Sequence, residues 1–213
     1  MADWALIFFL IYLALAFGLR SVVQRIRTGS TGFKGISGKP GSAEWLGGVL
    51  FVVALVCGLA APVLDLAGAL DPISALNGQY GHAAGGGLFF GGLVVTLVSQ
   101  VAMGNSWRIG VDHDERTELV KDGPFAWVRN PIFTGILFVA LGLALLVPNV
   151  ASLVGLVTLV VALEIQVRMV EEPYLLATHG DEYAAYAAQA GRFLPLFGRL
   201  STPASAAEAR GQN

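Results

Sequence analysis

Four charged side chains, Arg129, Arg168, Glu171 and Glu172, stand where long apolar segments of this chain end. A guanidinium presents a planar fork of donors that holds a carboxylate or another anion bidentately. A carboxylate partly removed from water can serve as a general base toward a thiol or an amine. Arg129 belongs to a first polar block, Glu118 to Gly135, which passes through Gly123-Pro124 and an Arg129-Asn130-Pro131 corner into an apolar stretch. Arg168, Glu171 and Glu172 open a second block, followed by His179-Gly180, Tyr183, Tyr186 and then Arg192 to Pro195. Glu164, Arg168, Glu171 and Leu175 are spaced to share one helical face, flanked by Gln166 and Glu172. Such a row leaving hydrocarbon must be ion-paired or line a wet cavity.

The elements that carry these blocks are membrane spans. The 213 residues are 55% hydrophobic and only 13% charged, with mean hydropathy +0.67, against about 25% charged residues in a soluble domain. The net charge of −2 argues against a nucleic-acid partner. The single Cys57 offers neither a disulfide framework nor metal-ligand spacing, and no metal site is expected. Five stretches have the length and apolarity of spans: residues 4–19, 46–64, 83–103, 132–147 and 151–167. The fold expected is an all-α, five-helix membrane bundle with a cytoplasmic C-terminal helical segment. The last two spans should form a tight hairpin around Pro148-Asn149-Val150, and a helix interrupted near Gly180 should follow.

Arg20, Arg25, Arg27, Lys34 and Lys39 fall in the first loop. Arg108, Arg116, Lys121 and Arg129 fall in the third, and Arg192, Arg199 and Arg210 in the tail. The second loop has Asp65 and Asp71 and no basic residue. The excess of basic residues puts the N-terminus outside and both polar blocks in the cytoplasm, in an inner or plasma membrane. The glycines at 47–48, 85–87 and 91–92 read as close-packing positions between helices. Residues 28–42 read as a flexible loop that could close over the site as a lid, and the tail beyond Pro203 as disordered.

At the two blocks the sequence resembles the isoprenylcysteine carboxyl methyltransferase family of integral-membrane methyltransferases. The residues that carry the likeness are Leu119-Val120, Gly123, Phe125, Arg129-Asn130-Pro131, Phe133 and Gly135, then Glu171-Glu172, Leu175, His179-Gly180, Tyr183, Tyr186, Arg192 and Pro195. Asn130 stands where the family has histidine, Phe125 and Phe133 where it has tyrosine, and Thr117-Glu118 where it has a loop histidine. The resemblance implies S-adenosyl-L-methionine as cofactor, with Leu119, Val120, Gly123, Phe125, Arg129, Asn130, Glu172 and Tyr183 on the cofactor side. Arg168 and Glu171 would orient the methyl acceptor, a lipophilic or small molecule bearing a carboxylate, thiol or amine. It divides one membrane domain into two N-terminal spans (1–82), a methyltransferase-like core (83–200) and a tail (201–213). Two alternatives remain open on the residues: an NADPH-dependent enzyme like the sterol reductases, which are similar in their last spans, and a non-catalytic membrane scaffold.

Overall fold

The computed structural model describes residues 1–33, 35–107 and 118–200. Lys34, Arg108, Arg116, Thr117, Arg210 and the tail expected to be disordered lie outside these residues. The described chain forms no named strand; it is built of helices, as a backbone solvated by lipid requires. Four helices are long and apolar enough to cross a membrane: α1 (Ala2–Thr28), α2 (Ala43–Leu66), α3 (Gln79–Ser106, ending in a 3-10 turn) and α5 (Val150–His179). A shorter apolar helix, α4 (Pro131–Leu146), and a final helix, α6 (Asp181–Gln189), complete the chain. The first and last long helices run well past the apolar stretches read from sequence. Arg20, Arg25 and Arg27 therefore sit on the last turns of α1 and not in a loop.

Two helix pairs make the bundle: α3 packs along α4, and α2 along α5. The expected hairpin of α4 and α5 is present as a short corner, but each helix takes its main partner elsewhere. Asn149 caps α5 in a reciprocal capping box with Ser152 and donates from Nδ2 to the Ala61 carbonyl of α2, at 2.9 Å. Glycine explains the α3–α4 pairing. A Cβ on Gly92 would stand 2.6 Å from the Gly135 carbonyl, and one on Gly85 would stand 2.8 Å from that of Gly142. Bare backbone at both crossings lets the helices touch. The core between them joins Tyr12 and Ala16 of α1, Phe89 of α3, Ile136 and Val139 of α4, and Leu159 and Leu163 of α5. The outward faces carry exposed valines such as Val56, Val94 and Val157, as lipid contact requires.

Two helices contain a wide turn. Residues Ala14–Leu19 in α1 and Gln166–Glu171 in α5 are π-helical, with bonds closing at i+5 instead of i+4. Both lie beside the cavity described below. The helix ends alternate, so the C-termini of α1, α3 and α5, the N-termini of α2 and α4, and α6 all gather at one end of the bundle.

Candidate active site

The site is built where the loop before α4 meets the returning C-terminal segment. Gly123, with φ +60°, makes the turn that leads through Pro124 into a 3-10 turn and buries Phe125. Val128 then pairs with Gly191 in a short parallel bridge. The Arg129 amide donates to the Gly191 carbonyl at 2.7 Å, and the Asn130 amide and side-chain Nδ2 both donate to the Arg192 carbonyl at 3.1 Å. Thr134 donates to the Phe193 carbonyl at 2.6 Å, and Tyr186 to that of Phe125 at 2.7 Å. These bonds join loop and tail into one unit. Pro131 starts α4 without an amide to satisfy, as a first helical residue can.

Glu172 lies at the centre. Its Oε1 accepts from Arg129 Nη2 at 2.6 Å and from Arg192 Nε at 2.8 Å, and its Oε2 accepts from Arg192 Nη2 at 2.9 Å. The Arg129 and Glu172 side chains are 2% and 8% exposed, so this is a buried triad of two cations on one carboxylate. Arg129 also donates from Nη1 to the Ala187 and Ala190 carbonyls, at 3.0 and 2.6 Å, satisfying the C-terminal end of α6. Tyr183 is buried beside this arginine, and its hydroxyl is pushed up to about 12 by burial, partly offset by Arg129. Its ring meets that of Tyr186 edge-on, with centroids 6.1 Å apart.

A cavity of about 610 Å³ opens against this unit, within the range of ligand and cofactor pockets. Of the cofactor-side candidates, Leu119, Val120, Phe125, Arg129, Asn130, Glu172 and Tyr183 line it, whereas Gly123 shapes the turn behind the wall. Glu171 lines it too. Arg168 does not: it is exposed on the outer side of α5 and ion-paired with Glu164. The π turn explains the split. An extra residue in a turn rotates everything after it by about 100° relative to an α-helix, so the row from Glu164 to Leu175 does not keep one face. Gln166 meets Glu171 instead, its Nε2 3.3 Å from Oε1 and five residues away.

Sequence reasoning passed over a third wall. Tyr12 and Phe17 of α1, Gly47 and Phe51 of α2, and Thr96 and Gln100 of α3 all face the cavity. Polar residues inside apolar spans were the available signal. Among the described residues, no group of three or more His, Cys, Asp or Glu side chains is arranged to hold a metal ion.

Residues 80–182 match the phospholipid methyltransferase family. The fold is similar to that of the eukaryotic intramembrane Ras methyltransferase ICMT (isoprenylcysteine carboxyl methyltransferase), with a TM-score of 0.63 and 17% identity. The likeness covers 91% of this chain and 67% of that one. Comparison with curated proteins gives no match. The family match runs from α3 into α6 and the likeness to the solved structure is one of fold; together they support a membrane-embedded methyltransferase.

Proposed function

We propose that the protein transfers a methyl group from S-adenosyl-L-methionine to a small or lipid-like carboxylate, thiol or amine at the cytoplasmic face of a five-span bundle. The observation that carries this reading is a single cavity with two kinds of wall. One wall is the polar unit around Arg129, Asn130 and Tyr183; the other is apolar and reaches between α1, α2 and α4. The residues present suit such a donor: Glu118 offers a carboxylate to a cationic ligand, and Phe125 and Tyr186 offer aromatic surface to a flat base. When bound, the donor supplies a methyl group activated on a positively charged sulfur. Displacement at that carbon needs alignment and exclusion of water more than acid–base chemistry.

In this reading the Arg129–Glu172–Arg192 triad acts on the cofactor side by locking the loop with Leu119 and Val120 against α6. Asn130, which cannot titrate, keeps the corner closed through Arg192. Glu171, held by Gln166, faces the acceptor and takes its proton if the acceptor is a thiol or amine. The outer position of Arg168 suits a guanidinium that meets lipid phosphates better than one that orients the acceptor. Five spans are supported by the alternation of helix ends, with α4 as the short one. Its 16 residues rise about 24 Å, short of a hydrocarbon core of about 30 Å.

Calorimetric titration of S-adenosylhomocysteine into the detergent-purified protein tests the proposal, with NADPH in parallel. Micromolar binding of S-adenosylhomocysteine that is lost in Arg129→Ala or Glu172→Ala is expected. Binding of NADPH alone would replace the proposal with a reductase, and binding of neither would leave a scaffold.

A further inference from the structure

The apolar arm of the cavity contains polar groups that methyl transfer, as described above, does not use. Tyr12 of α1 and Thr96 and Gln100 of α3 line it, and they are 3%, 0% and 3% exposed. Around them stand Phe17, Phe51, Leu55 and Ile136. Polar groups in such surroundings are retained only when bonded or used.

Their protons can be assigned. The Thr96 hydroxyl donates its only proton to the Gly92 carbonyl at 2.9 Å. The 3.2 Å contact between the Tyr12 and Thr96 hydroxyls must therefore be donated by Tyr12. Gln100 donates from Nε2 to the Ala16 carbonyl at 2.8 Å, within the π turn of α1, and this orients its amide. Gln100 Oε1 remains, buried and without a hydrogen-bond partner among the described residues. Both hydroxyl protons are committed, while the amide oxygen and the phenolic oxygen of Tyr12 still have lone pairs to offer.

We infer that this end of the cavity is a subsite for a hydrogen-bond donor, a hydroxyl or amide N–H carried on the apolar body of the methyl acceptor, with Gln100 Oε1 as the receiving atom. The inference rests on the methyltransferase reading only in calling that ligand an acceptor. It excludes acceptors whose buried portion is pure hydrocarbon from tight binding. It also distinguishes Gln100 from a residue that merely joins two helices, because a helix-joining glutamine does not discriminate between ligands.

The test uses paired amphiphiles that differ in one donor: N-methylpalmitamide against N,N-dimethylpalmitamide, and hexadecanol against its methyl ether. Each is titrated into the detergent-solubilised full chain. The wild-type protein is expected to bind the donor-bearing member of each pair about tenfold tighter, the worth of one buried hydrogen bond. Gln100→Leu is expected to bring both ratios to about one while leaving S-adenosylhomocysteine affinity unchanged. Equal affinities in the wild-type protein overturn the inference, and so does a ratio that survives Gln100→Leu. If that variant does not fold, the wild-type ratios of the two pairs decide alone. Preserved ratios in a protein that does not bind S-adenosylhomocysteine would sink the methyltransfer proposal and leave the subsite standing.

Discussion

Glu172 neutralises one of two guanidiniums buried beside it, so its charge holds together a unit in which cations would otherwise face each other. Glu172→Gln keeps the shape and removes that charge. Breaking a buried ion pair from one side costs about 3–5 kcal/mol, so thermal unfolding in detergent should shift down by that order, accompanied by loss of cofactor affinity. Arg168→Ala should change stability by less than about 1 kcal/mol, because its pair with Glu164 is exposed. An unchanged melting temperature in Glu172→Gln would show that the triad does not clamp the loop. The roles of these two residues could be guessed from sequence only in part. Motif spacing marked Arg129 and Glu172, but the meeting of Arg129 and Arg192 on the Glu172 carboxylate depends on a chain return of 20 residues between Glu172 and Arg192. The separation of Arg168 from Glu171 depends on a π turn. Nothing in local propensity announces such a turn, since the same residues would close an ordinary α-helix.

At the scale of elements, the seam between α3 and α4 rests on glycines at matched crossings. A methyl group on Gly92 meets the Gly135 carbonyl at 2.6 Å and the Val139 amide at 2.7 Å, whereas one on the adjacent Gly91 meets nothing within 4 Å. Gly92→Ala should therefore cost about 1–3 kcal/mol through overpacking and lower the yield of monodisperse protein. Gly91→Ala should be neutral or stabilising through helix propensity. Size-exclusion profiles and melting curves of the two variants check this, and equal behaviour would mean that the seam is not closely packed. Glycine pairs in the spans signalled close packing in advance. Which helix they touch was not legible, and the short corner at Pro148 suggested α5 for α4 when the true partner is α3.

At the scale of the whole molecule, charge is divided between the two ends of the bundle. Among the described residues, Arg20, Arg25, Arg27, Lys39, Lys121, Arg129, Arg192 and Arg199 lie at the site end. The opposite end has Asp3, Asp65, Asp71 and His82 and no lysine or arginine. The proposed orientation follows, with the site in the cytoplasm. In a Cys57→Ala background, a cysteine at exposed Asp71 should react with a membrane-impermeant maleimide in intact cells, and one at Lys39 only after permeabilisation. The reverse pattern would put the cavity on the other side and away from a cytoplasmic cofactor supply.

From the sequence alone came the membrane as solvent, the position of the spans to within their polar ends, and the two blocks that meet at the site. Those features rest on strong local forces: the cost of exposing backbone to lipid, and the exclusion of charge from hydrocarbon. Tertiary structure alone decided how far the helices run beyond the lipid, how α1 and α2 complete the cavity, and which of Arg168 and Glu171 faces inward. In a span apolar on every side, hydropathy is silent about rotation, so close packing at Gly92 and Gly135, the π turns, and buried bonds such as Gln100 to Ala16 set which side chains meet.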